Sequence, residues 1–250
     1  MIKGFSQYVN ENLKGDSIIS KYARDVIGIV IKSKSNDKTY EETRELEYTD
    51  DNSFDLVVQI RKDSSPNFET DEYFNDLQWE EINFKKYGFA IDGNTYIDNR
   101  ELMIPEIIIT LLINPKREPD LYKELEFKLI DIIKHELNHT DQVGWNRDPF
   151  NVRISSEKDR SAADTSFAYF NLPDEVESMV AGMYERAKEE DSDIDELFDK
   201  YLLPFVLDGK LSKPEYNKVF DLWLRHALEN YPDVKINTSD PRINKIVNSI

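Results

Sequence analysis

No cysteine occurs anywhere in the 250 residues, which excludes a disulfide framework and is compatible with a reducing compartment. Long hydrophobic runs are missing too. The longest, 107–113, is interrupted by Thr110 and falls far short of the roughly 20 apolar residues that a membrane-spanning helix needs. The first residues hold no continuous hydrophobic region, so export by a secretory signal is not expected. Positive charge is scarce beside negative: 32 Lys and Arg against 50 Asp and Glu leave a formal net charge of −18 and a pI near 4.6. A surface of that sign repels phosphates, which argues against nucleic acid as a partner and favours basic peptides or basic protein surfaces. Internal repeats are absent, and the acidic run 189–195 reads as a solvated turn. What is present suits a folded chain. Hydrophobic residues at 39% and aromatics at 12% can build a sizeable core at this length, in one large domain or two lobes sharing a core.

Histidine is also scarce, and its placement is informative. Two of the three histidines stand in His135-Glu136-Leu137-Asn138-His139. On an α-helix, residues four apart lie about 40° from one another on one face, so the two imidazoles offer a bite suited to one tetrahedral metal ion. This is the H-E-x-x-H pattern, in which the histidines bind Zn²⁺ and the glutamate acts as general base. The flanks support a helix: Leu121, Leu125, Leu129, Ile132, Ile133 and Leu137 recur mostly at intervals of three or four, predicting an amphipathic helix over 120–142. Pro119 and Asp120 suit its first turn and Gly144 its end.

A catalytic zinc normally takes three protein ligands and leaves a fourth position to water. With cysteine absent and His226 far along the chain, a carboxylate is the expected third donor. Val176, Met179, Val180, Met183, Tyr184 and Ala187 form an apolar stripe of a second predicted helix, opened by Pro173. Glu175 and Glu177 flank that stripe on opposite sides, and Asp174 is expected on the outer side.

These motifs resemble the gluzincin branch of the zincin metallopeptidases, and in particular zincin-like proteins of tailed phages and bacteria, over about 104–188. The resemblance implies an α+β, zincin-like fold. An N-terminal antiparallel or mixed sheet would carry the active-site helix over 1–146, and a mainly helical lobe over 147–250 would share the cleft. It also implies zinc as cofactor and a glutamate on the next helix as third ligand. Glu177-Ser178 fits that pattern best, with Glu175 in reserve. The implied chemistry is peptide-bond hydrolysis by a metal-activated water, with Glu136 as base. His226 is the candidate for stabilising the oxyanion, with Tyr169 and Tyr184 behind it. Ala181 stands where some gluzincins carry a further acid, and no third-histidine motif follows His139, which argues against the metzincin branch. Asp164-Thr165 matches the aspzincin branch poorly. Two other readings belong beside the peptidase: a non-catalytic virion or binding protein of this fold, and a zinc hydrolase acting on another bond. Val9-Asn10-Glu11 closes a segment, 1–11, that resembles the cleaved leader peptides of phage head proteins, and an ordinary amphipathic helix explains the same residues. The expected locations are thus the infected host cell's cytoplasm or the virion.

The remaining elements follow from local pattern. Residues 2–14 and 16–25 read as short helices, and the β-branched runs 26–31 and 56–60 as strands. The polar stretch 34–52 reads as a loop or an edge hairpin. Residues 89–91 and 95–97 flank Asp92-Gly93-Asn94, a hairpin signal. Residues 104–112 form a long apolar strand, ending near Asn114-Pro115. By resemblance, 105–114 is a candidate edge strand for an extended substrate, and by hydrophobicity a buried central strand. A long polar loop spans 143–165, with a turn at Asp148-Pro149. Helices are expected over 194–203, 214–228 and 241–250, the second opened by a capping box from Ser212 to Glu215.

Overall fold

The computed structural model describes residues 18–33, 39–49, 52–68, 77, 80–96, 105–117, 122–142, 162–163 and 165–248. The leader-like segment, the expected helix over 2–14, the Asp148-Pro149 turn and most of the 143–165 loop lie outside them. The architecture is α+β. The chain divides into two compact units, 1–133 and 134–250, the division falling within one long helix.

The first unit opens with α1, Ile18–Lys32. A strand is expected over 26–31, and the helix continues through it. Ile19, Tyr22, Ala23, Val26, Ile27 and Val30 are buried at helical spacing, so one apolar stripe runs unbroken across the expected boundary. The helix-propensity penalty of Val and Ile, a few tenths of a kcal/mol each, is small against that burial. Ser33 closes the helix, its N–H donating to the Ile29 carbonyl at 2.9 Å.

Among the described residues four strands follow: β1 (Thr39–Thr49), β2 (Asn52–Lys62), β3 (Phe89–Tyr96) and β4 (Glu106–Ile113). They form one mixed sheet in the order β1-β2-β4-β3. β1 pairs antiparallel with β2, so the polar stretch holds an edge strand. Its Glu41, Glu45 and Glu47 are exposed, and charges of this kind discourage further pairing at an edge. β4 pairs parallel with β2 and antiparallel with β3. The expectation that 105–114 offers an edge to a substrate is therefore corrected: the backbone groups of β4 are committed on both sides.

The hairpin expected at Asp92-Gly93-Asn94 does not form. β3 runs straight through it, with Gly93 opposite Ile109. A two-residue primed turn needs positive φ at its centre, and among the described glycines only Gly88 and Gly209 have it. Gly88, at φ 81°, ends the short helix α2 (Glu81–Tyr87) and turns the chain directly into β3. One sheet face buries Leu56, Val58, Ile60, Ile107, Ile109 and Leu111, adjacent by register. On that side Phe54 meets Tyr22 of α1 edge-on, with centroids 5.5 Å apart. The other face carries a smaller cluster of Phe68, Leu77, Phe84, Ala90 and Leu112.

The long helix is α3, Tyr122–Gln142, matching the expected range closely. The second unit then holds α4 (Ser166–Tyr169), α5 (Pro173–Glu190), α6 (Ile194–Leu207), α7 (Lys213–Asn230) and α8 (Pro241–Val247). The capping box of α7 forms as its sequence implies, with the Ser212 N–H donating to the Glu215 carboxylate at 2.8 Å. At the centre of the core Trp223 is fully buried among Phe170, Phe198 and Tyr201. Its indole N–H donates to the Phe170 carbonyl at 3.1 Å, which ties α7 to the chain just ahead of α5. Arg242 of α8 bridges to Asp199 of α6 at 3.2 Å and to the Tyr216 hydroxyl at 2.9 Å.

Two measurements check this core. Trp223→Ala leaves a cavity and an unpaired carbonyl, and should cost about 3–5 kcal/mol in denaturant unfolding. The second concerns alkali. Burial and the Asp199 carboxylate push the Tyr216 hydroxyl up to about 12, and burial with nearby Glu177 does the same for Tyr231. Both keep their proton in the folded chain after the unfolded chain, at about 10, has released it. Their stabilising contribution is whole below about pH 10 and is lost as pH rises toward about 12. Helix content followed through that window should show the loss, and Tyr216→Phe should make it shallower.

Candidate metal centre

The last turns of α3 carry His135, Glu136 and His139. Helical spacing places both imidazoles on one face, with their Nε2 atoms 2.9 Å apart and their rings edge-to-face at 4.6 Å. His135 and Glu136 are buried, and His139 is half-buried. The third group comes from the first turn of α5. Pro173 occupies the start of that helix, where its missing N–H is no loss, and Glu175 follows two residues later with a side chain showing no exposed surface. Its Oε2 lies 3.6 Å from His135 Nε2 and 3.7 Å from His139 Nε2. Among the described residues, these three form the group whose ligand atoms all lie within 4.8 Å of one another.

The triangle fits a metal ion. Tetrahedral zinc with bonds of 2.0–2.1 Å separates its ligands by roughly 3.3 Å. The three observed edges, 2.9, 3.6 and 3.7 Å, bracket that figure, and the in-plane centre of the triangle lies about 2.0 Å from each corner, so zinc bonds of that length reach all three atoms from a point close to the plane. Two imidazoles and one carboxylate would supply three ligands to such an ion and leave a fourth position for water. Glu136 Oε1 lies 3.9 Å from His135 Nε2, beside the triangle rather than within it.

Neighbouring groups hold the donors. The Tyr169 hydroxyl donates to Glu175 Oε2 at 2.7 Å. Tyr169 arrives there from α4, whose first turn is capped by the Thr165 hydroxyl accepting from the Ala168 N–H. Burial and the Glu175 carboxylate push the Tyr169 pKa well above its ordinary value, so the phenol stays a donor. Burial alone would raise the Glu175 pKa. The two imidazoles and the Tyr169 hydroxyl outweigh it and bring the carboxyl to about 2. For His139, burial opposes the charged form, and Glu175, Glu136 and the Gln142 amide together outweigh it and raise the pKa. His139 Nδ1 faces Gln142 Oε1 at 2.8 Å and Ser178 Oγ at 3.2 Å.

The expected residues are thus partly brought together. His135, Glu136 and His139 stand as the motif implies. Of the two glutamates, Glu175 joins the imidazoles, whereas the Glu177 carboxylate accepts from Gln142 Nε2 at 3.3 Å. Asp174, expected on the outer side, is fully buried, and its carbonyl accepts from Gln142 at 3.0 Å. Tyr184 donates to Asp233 at 2.6 Å. His226 is half-buried on α7, its carbonyl accepting from Asn230, and does not belong to the three-residue group. Sequence reasoning did not single out Gln142, Ser178 or Asn138, whose amide donates to Ser178 Oγ at 3.1 Å. The available signal was spacing: Gln142 lies three residues past His139 and Ser178 three past Glu175, each on the same helix face as the donor it follows.

The two glutamates are separable by experiment. Glu175→Gln should weaken zinc retention against a competing chelator by at least about tenfold, whereas Glu177→Gln, which leaves all three donors in place, should change it by less than about threefold. No protein-family model, curated protein or solved structure matches this chain, so the assignment rests on its own residues and their geometry.

Proposed function

We propose that this chain is a zincin-like metallopeptidase of the gluzincin type, in which His135, His139 and Glu175 hold zinc and Glu136 is the general base. The observation that carries the reading is the convergence of two imidazoles and one buried carboxylate, from two helices, at distances suited to one ion. Zinc held by such a set would leave one position for water, lower that water's pKa toward about 7 and polarise a substrate carbonyl.

The chain's own residues supply the rest. Glu136 shares the buried helix turn with His135 without being one of the three converging donors, which suits it to take a proton from water and return it to the leaving amine. Tyr169 holds the Glu175 carboxylate in place through its hydroxyl. No step is assigned to His226. The net charge of −18 favours basic peptides or basic protein segments as substrates.

Metal analysis combined with cleavage assays on basic peptides tests this, with wild type beside Glu136→Gln. The variant should retain zinc while its turnover drops at least about 100-fold, the usual scale for loss of a general base. Undiminished turnover in the variant would remove Glu136 from the mechanism. Zinc binding without cleavage of any peptide would favour the non-catalytic role.

A further inference from the structure

Gln142 is the residue on which the second half of the site converges. Its side chain is buried, with 4% of its surface exposed, and both ends of its amide are engaged. Nε2 donates to the Asp174 main-chain carbonyl at 3.0 Å and to the Glu177 carboxylate at 3.3 Å. A main-chain carbonyl can only accept. Flipping the amide would set its oxygen against the Asp174 oxygen, so the NH₂ end must face α5 and the oxygen must face His139. Gln142 Oε1, at 2.8 Å from His139 Nδ1, can likewise only accept. Nδ1 therefore carries the hydrogen. In the neutral ring this leaves Nε2 bare toward His135 and Glu175; in the charged ring Nε2 also carries a proton, which Glu175 at 3.7 Å stabilises and whose place a cation would take.

Ser178 does not settle the tautomer by itself. Its hydroxyl, 3.2 Å from Nδ1, is able to accept from Nδ1 or to donate to it. Donation would favour the opposite tautomer, with hydrogen on Nε2 blocking the lone pair that a metal needs. The helical position of Gln142 and its anchor on α5 together remove that ambiguity.

We infer that Gln142 is a positioning residue of this site: its amide, anchored on the Asp174 carbonyl, holds His139 in the Nδ1–H tautomer that presents a bare Nε2 to a divalent cation. The inference deepens the metal-site reading and rests on it for the identity of the ligand, but the tautomer itself is a property of the metal-free chain.

The test uses the full-length protein labelled with ¹⁵N histidine, metal-free and at mildly alkaline pH, together with zinc titration against a competing chelator. The His139 signals are assigned by their loss in His139→Gln. In wild type, His139 should show a protonated Nδ1 and a bare Nε2. Gln142→Met, which removes both polar ends at similar length, should shift the tautomer toward Nε2–H and weaken zinc binding by about 10–100-fold. Gln142→Glu, made together with Glu177→Gln so that no second carboxylate faces it, keeps an acceptor for Nδ1–H and loses the amide donor to α5. It should retain the wild-type tautomer and bind zinc within about threefold of wild type. An unchanged tautomer and affinity in Gln142→Met would overturn the inference. So would a double variant as impaired as Gln142→Met, which would make the amide only a tie between helices. If Gln142→Met does not fold, the tautomer in the double variant decides alone. A wild type that binds no zinc would overturn the metal reading, while the tautomer measurement would still test Gln142.

Discussion

A carboxylate with no exposed surface sits at the start of α5, and a buried charge of that kind is sustained only where the surrounding groups replace its lost hydration. Glu175 meets that demand with the Tyr169 hydroxyl and the two imidazoles of α3. Each helper depends on a larger element. Tyr169 is delivered by a four-residue helix capped by Thr165, and the imidazoles require α3 to run helical to Gln142. The polar cluster therefore constrains the backbone around it as well as its own side chains.

The hydrophobic core of the second unit serves the same geometry. Trp223, buried among Phe170, Phe198 and Tyr201, also anchors the Phe170 carbonyl three residues before α5 begins. The direction in which α5 departs, and hence the aim of Glu175, follows from an aromatic cluster outside the site. On the other side of the helix pair, Gln142 reads the backbone of α5 through Asp174 and passes the result to His139. Packing and hydrogen bonding thus meet on the same two helices.

Much of this was legible in the order of residues, and what was legible was local. The H-E-x-x-H helix is a matter of four-residue spacing and an apolar stripe, and the capping box of α7 lies within four residues. Long-range competition defeated the other readings. The run 26–31 has strand-like composition, but its residues extend the buried stripe that begins at Ile19, and burial of the whole stripe outweighs local preference. Asp92-Gly93-Asn94 has turn composition, but a continuous ladder against β4 retains backbone bonds that a tight turn would give up. For 105–114 the hydrophobicity of the segment pointed to a central strand, as found, whereas the identity of the strands on each side of it lies elsewhere in the chain.

The choice between Glu175 and Glu177 shows where the boundary falls. Residues two apart on a helix point about 200° away from one another, so residue order alone set that at most one of the two glutamates would join the pair of imidazoles. Which one does depends on how α5 is rotated and placed against α3, and that is decided by contacts distant in sequence, from Phe170 with Trp223 to Gln142 with Asp174. Spacing along one helix set the bite of the two histidines. The third member of the cluster and the amide that faces His139 had to await the packing of two helices, because their geometry is a relation between segments and not a property of either.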